Sequence, residues 1–314
     1  MRPGLRIATI RSGQIESTHD VSVVATDLRG RDIGSWGEPN ITFFYRSVVK
    51  PFQGTVTQEA GAALSPEQLA AACASHGGYP IHLGITRTIL AQAGLDADFL
   101  QCPSAWPRAP GAKDLLVAAG HRRPTRLFHN CSGKHSGWLA ACVAQDWPVD
   151  TYLDASHPLQ QRVSAMIKEL TGFDSEPIGV DGCGAPTLRG NLIGLARSFS
   201  TLSVDAQFAE ARLAMHRFPA LVASNTLPDG KFAAWWGGPV KVGAEGLIAA
   251  GRNGIGIAAK SHEGSMPIAV VGIMEASRQL GLLPKVAQTA LQDVARIPVY
   301  GGGGRVGVIE PISS

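Results

Sequence analysis

Strand-like stretches gathered at the two ends of the chain, with a long helical stretch between them, constrain its fold more than any other feature. Ile15 to Val24 mixes β-branched and polar residues ahead of the turn signal Asp27-Leu28-Arg29-Gly30-Arg31, which predicts an opening hairpin. From Trp235 onward, Val240 to Ala250 and Gly254 to Lys260 read as short strands broken by glycine, and Ile268 to Ile273 reads as another. Pro284 to Arg296 reads as a closing helix and Gly301 to Gly304 as a short flexible tail element. Between the ends, Ser65-Pro66-Glu67-Gln68 supplies a cap and a proline at the first helical position, opening a helix through Leu69 to Ala74. Further helices are expected at roughly 80–93, 135–145, 157–171, 186–199 and 205–216, with Gly94 and Gly172 as stops. This order predicts one α+β unit over 1–314, its sheet drawn from about 1–60 and 232–314 and its helical part, about 61–231, inserted between.

Several function classes fall away on composition. Lys and Arg number 28 against 25 Asp and Glu, with no run of like charge, so no electrostatic footprint for nucleic acid is present. No segment carries the 18 or so uninterrupted apolar residues that cross a bilayer, and the start, Met1-Arg2-Pro3-Gly4, is not followed by an apolar block; the expectation is a cytoplasmic protein without membrane contact. The five cysteines, at 73, 102, 131, 142 and 183, are odd in number and contain no C-x-x-C, which argues against a disulfide scaffold and a ribbon-type structural zinc site.

Chemistry concentrates in a few segments. Asn130-Cys131-Ser132-Gly133-Lys134-His135 and Asp181-Gly182-Cys183-Gly184-Ala185-Pro186 each set a thiol beside glycine turns and polar groups, where backbone approaches ligands and thiolates react or bind metal. In Ser47-Val48-Val49-Lys50 the spacing lets a helical turn bring an amine to a hydroxyl, which a neutral lysine can deprotonate. Taken alone, this motif is a weak signal, and an exposed lysine one turn from a solvated serine is its more ordinary reading. Pro51 disfavours helical geometry at Lys50, so Ser47 belongs at the very start of a helix or in a tight turn before one. Ser75-His76-Gly77-Gly78, with His82, follows a helix and could be simple capping chemistry. Lys260 ends an apolar strand-like run; such a lysine is a solvated strand end or, if buried, a base with a depressed pKa.

Taken in order, Arg46-Ser47-Val48-Val49-Lys50-Pro51-Phe52-Gln53, Ser75-His76-Gly77-Gly78, the Asn130 to His135 segment, His157-Pro158-Leu159-Gln160, the Asp181 to Pro186 segment and Lys241-Val242-Gly243-Ala244-Glu245-Gly246 resemble the L-asparaginase II family of the Rhizobium etli type over nearly the whole chain. The resemblance implies a serine β-lactamase-like and glutaminase-like fold, an antiparallel sheet, a homodimer, and hydrolysis of the side-chain amide of asparagine through two Ser–Lys pairs. Carried over by motif, these pairs are Ser47 with Lys50 and Ser75 with Lys260, with Ser47 as nucleophile and Lys50 as its base. The same resemblance places zinc on Cys131, Lys134 and Cys183; a Cys131–Cys183 disulfide or two packed thiols are the alternatives. For a free amino-acid substrate, Asp181 and His135, and after them Arg46, are the candidate binding groups.

Departures from the family pattern leave the Ser–Lys and Cys–Lys–Cys groups whole. Tyr79 stands where a glutamate is expected, Cys102-Pro103-Ser104-Ala105-Trp106 is altered, Ala185 replaces a branched residue, and Val222 to Phe232 reads Ala223-Ser224-Asn225-Thr226 in place of a glycine-centred sequence. These changes bear on the choice between asparagine, glutamine and other small amides. A β-lactamase or penicillin-binding-type acyltransferase would share Ser47 and Lys50 but also needs S-D-N and K-T-G elements, and neither is present.

Overall fold

The computed structural model describes residues 2–223 and 227–312. In chain order its strands are β1 (Leu5–Arg11), β2 (Gln14–Thr26), β3 (Asp32–Trp36), β4 (Thr42–Phe44), β5 (Gly179–Val180), β6 (Pro186–Thr187), β7 (Arg189–Asn191), β8 (Val240–Gly243), β9 (Leu247–Arg252), β10 (Ile255–Ser261), β11 (Ile297–Gly301) and β12 (Gly304–Ile312). Eight of them form one antiparallel sheet in the order β11-β12-β1-β2-β10-β9-β8, with β3 also paired to β2. Both chain ends therefore build the sheet, and the expected turn at Asp27 to Arg31 joins β2 to β3. One expectation fails here, and one pairing was not foreseen. Gly301 to Gly304 is the turn of the β11–β12 hairpin rather than a tail, and β1, unforeseen, bridges the two ends by pairing with both β2 and β12.

The helices are α1 (Lys50–Glu59), α2 (Pro66–Ala72), α3 (Pro80–Gln92), α4 (Ala112–Ala118), α5 (Ser132–Ala144), α6 (Pro158–Thr171), α7 (Leu192–Leu202), α8 (Ala209–Arg217), α9 (Pro219–Val222), α10 (Pro228–Trp236), α11 (Met266–Gln279), α12 (Lys285–Ala290) and α13 (Gln292–Ala295). The capping box expected at Ser65 forms, Gln68 N donating to Ser65 Oγ and Ser65 N to Gln68 Oε1. Gly172 ends α6 in the left-handed region. The helix expected at 186–199 starts only at Leu192, capped by Asn191, because 186–191 is spent on short strands. Ile268 to Ile273 is not a strand. It lies inside α11, which Pro267 opens; nearly every residue of the run is buried, and an all-apolar run has no period to separate strand from helix. The closing helix at 284–296 is two pieces, broken at Leu291. Ser224, Asn225 and Thr226 lie outside the described residues.

Strand alternation splits the core across the sheet. Val24, Ala249 and Ala258 face α1, α5 and α7, while Val23, Ala25, Ile248, Ala250, Ile257 and Ala259 face α11. On the first face α7 crosses β9 and β10 directly over Gly251 and Gly256, where an added Cβ would overlap the carbonyl oxygens of Phe199 and Ala196. This contact seats the helical part on the sheet. Gly256→Ala should therefore lower stability by about 1–3 kcal/mol, read as a lower urea midpoint; an unchanged midpoint would mean that the helix is free to lift.

Candidate active site

Ser47 sits in a 3-10 turn, Arg46–Val49, that runs straight into α1. Arg46 holds a left-handed φ of 52°, which a non-glycine residue adopts at a cost. Its backbone N–H donates to Thr187 Oγ1, and its guanidinium Nε reaches Asp181 Oδ1 at 2.6 Å. This clamp ties the turn presenting Ser47 to the Asp181–Cys183 loop. Pro51 is accommodated in the first turn of α1, and Lys50 is helical all the same. Ser47 is half-buried, and among the described residues its hydroxyl has no hydrogen bond to Lys50.

The Lys50 amine, 1% exposed, instead spends its donors on Ala74 O at 2.6 Å, Ser75 Oγ at 3.1 Å and Cys131 Sγ at 3.3 Å. Ser75 follows α2 in a loop tied down by His76, whose Nδ1 accepts from Gly78 N and whose Nε2 therefore donates to Ser132 Oγ at 2.9 Å. The second amine at Ser75 is not that of Lys260. Lys241 Nζ lies 3.4 Å from Ser75 Oγ and donates to Val242 O, whereas Lys260 Nζ bonds the carbonyls of Glu245 and Ser261. The two lysines ride β8 and β10, with β9 between them, so only the one on β8 reaches the Ser47 turn. Close approach of β8 to that turn is possible because Gly243 packs against Tyr45 O and Val48. Burial, then the Lys50 charge, pushes the Lys241 amine down to about 7, with Asp229, Cys131 and Cys73 pulling weakly the other way.

All five cysteines are free and buried, so no Cys131–Cys183 bridge is formed. Cys131 caps α5, which places Lys134 and His135 in its first turn, earlier than the expected start at 135. Lys134 Nζ lies 3.3 Å from Cys183 Sγ and 4.0 Å from the Trp138 ring centroid. Contact with Cys183 outweighs burial and, helped by the Lys50 and Lys134 charges, holds the Cys131 thiol well below its usual range. Burial works against the Lys134 amine, but Cys183, Cys131 and Asp181 together raise it. Among the described residues no group of three or more histidine, cysteine or carboxylate side chains is placed to hold a metal. Two thiolates and one amine are nevertheless a donor set that zinc accepts, once the lysine gives up its proton.

The candidate substrate-binding groups fare differently. His135 is wholly buried, with its Nδ1 at 2.7 Å from the Tyr152 hydroxyl and its ring beside Cys183. Asp181 is already matched by Arg46 and by Gly182 N. A cleft of about 350 Å³ opens over Ser75, lined by Tyr79, Arg108, Leu221, Val222, Leu227 and Asp229 among others. Sequence reasoning missed both Lys241 and Asp229. The signal for Lys241 was present, since it opens one of the six ordered segments; Asp229 carried none.

A model of the L-asparaginase II family matches residues 7–311. Among solved structures, Mglu in its native form aligns at 15% identity over 90% of this chain and 69% of its own, with a TM-score of 0.46. SurE with D-Leu aligns at 12% identity over 93% and 71%, with a TM-score of 0.32. Neither likeness carries an argument at such scores. A comparison with curated proteins finds no match. Since the matched span takes in the Ser47 turn, both cysteine segments and every strand of the Ser75–Lys241 contact, the chain belongs to the L-asparaginase II family.

Proposed function

We propose that the chain hydrolyses the side-chain amide of L-asparagine to L-aspartate and ammonia, the specific form of the amidohydrolase activity that its family supports. One observation carries the reading: a continuous Lys50–Ser75–Lys241 chain of contacts beside a half-buried Ser47. A helix-borne Ser-x-x-Lys turn facing a lysine on an edge strand also favours the serine β-lactamase-like frame.

In this mechanism a proton passes from Lys50 through the Ser75 hydroxyl to Lys241, leaving Lys50 neutral one turn from Ser47. Ser47 Oγ then attacks the amide carbon as Lys50 takes its proton. Ser75 returns a proton to the nitrogen, the C–N bond breaks and ammonia leaves. Water attacks the resulting β-aspartyl ester by the same groups in reverse, releasing aspartate and restoring the serine. The backbone N–H of Ser47, at the helix start, is the candidate donor to the oxyanion. Arg46 and Asp181 hold the turn.

Zinc, if bound, would be held by Cys131, Lys134 and Cys183, and would supply a fixed positive charge and Lewis acidity there. Zinc content measured by elemental analysis should be near stoichiometric in protein prepared with the metal and lost in Cys183→Ala; equal zinc in both would remove the site.

Ammonia release from asparagine, with glutamine alongside, tests the reaction. Ser47→Ala should abolish release; activity persisting at the original level would sink the proposal. Lys241→Ala should lower kcat/KM by roughly 10² to 10⁴, while Lys260→Ala changes it by less than about threefold. Because Lys241 accepts a proton only when neutral and its pKa is about 7, kcat/KM should rise as pH increases through about 7 and fall away below it. A profile flat from pH 6 to 8 would contradict the relay.

A further inference from the structure

The cleft that Ser75 lines also holds a carboxylate that neither sequence nor family match singles out. Asp229 stands in the first turn of α10 and lines the same cleft as Ser75. Its surroundings there are largely apolar, with Ala220, Leu221, Val222 and Leu227 among the lining residues. Among the described residues Asp229 has no ion-pair partner within 4.0 Å. Asp181, by contrast, is engaged by Arg46 at 2.6 Å.

A carboxylate kept in such a wall without a counter-ion is costly, because burial penalises its charged form; its pKa is raised accordingly, the nearby Lys241 charge only partly offsetting this. Structural duty accounts for part of its placement, since Gly230 N–H and the helix start both favour an acid here. That duty needs no cleft, however, and no neighbouring nucleophile relay. Arg108, on the same cleft, supplies the opposite charge.

We infer that Asp229 binds the α-ammonium group of an α-amino-acid amide whose reacting carbonyl lies toward Ser75 and Ser47, with Arg108 available to the α-carboxylate. The cleft is thus built for zwitterions, and amides lacking the ammonium group are poor ligands. This inference rests on the amidohydrolase reading for the placement of the carbonyl, but not for the recognition of the ammonium.

The test uses Ser47→Ala protein, which binds without turnover, and calorimetry with L-asparagine and with succinamate, its analogue lacking the α-amino group. Asparagine should bind at least tenfold more tightly than succinamate. Adding Asp229→Asn should erase that difference, Asp229→Glu should keep part of it, and Asp181→Asn should leave it intact; circular dichroism checks that each variant is folded. A ratio unchanged in folded Asp229→Asn protein, or no binding of either ligand to folded Ser47→Ala protein, overturns the inference. Ammonia release by the unsubstituted protein judges the amidohydrolase reading separately. No release, together with ammonium-dependent binding that requires Asp229, would sink that reading and leave this one standing.

Discussion

Two lysine amines buried within reach of one serine hydroxyl are the constraint on which the rest of the structure depends. Lys50 and Lys241 are each 2% exposed or less, and like charges at such separation cannot both persist away from water. The fold meets this by giving Lys50 fixed acceptors, the Ala74 carbonyl and the Cys131 sulfur, and by leaving Lys241 with the weaker claim to a proton. Ser75 lies between them, its hydroxyl 3.1 Å from the Lys50 amine and 3.4 Å from that of Lys241. An arrangement of this kind needs a helix start, a loop and a strand to meet at one point, which is what the seating of α7 on the glycines of β9 and β10 and the approach of Gly243 to the Ser47 turn secure.

The thiol site obeys the same logic and is joined to the first by shared residues. Cys131 accepts from Lys50 on one side and belongs with Lys134 and Cys183 on the other. Asp181, two residues before Cys183, grips Arg46, the residue before Ser47. A shift in the Cys183 loop is therefore felt at Ser47 through a salt bridge to a backbone already held in the left-handed region. Charge balance here is local: two thiols, one carboxylate and the Lys134, Lys50 and Arg46 cations lie within one neighbourhood.

Much of this was legible in the residues, and the failures have physical causes. Caps, glycine stops and the turn at Asp27 to Arg31 were readable because each is set by local backbone chemistry. The sheet drawn from both ends was readable from the order of segments. The strand expected at Ile268 to Ile273 failed because a helix packed against a sheet and its neighbours is apolar all round. Lys260 was paired with Ser75 by carrying the resemblance over motif by motif, and a motif does not show which of two strand lysines lies beside that serine; the structure puts the amine of Lys241, on the edge strand β8, next to Ser75 and that of Lys260, two strands away, on backbone carbonyls. His135 was taken for a substrate contact because a histidine beside a metal motif looks the same in sequence whether its ring faces a cleft or, as here, Tyr152 in the core.

Asp229 was invisible for a different reason. A single acid in a helical first turn has an ordinary structural explanation, and only tertiary packing puts it on the cleft that Ser75 lines. The groups proposed for catalysis come from motifs in which several residue types must coincide, so they stand out from background. Recognition of a substrate's ammonium group needs just one carboxylate at the right depth, which any element reaching the cleft can provide. On the proposed reading, selectivity is free to change by substitution in the α9–α10 region while the Lys50–Ser75–Lys241 contacts stay fixed, and it is in that region, from Val222 to Phe232, that this sequence departs from its family's usual pattern.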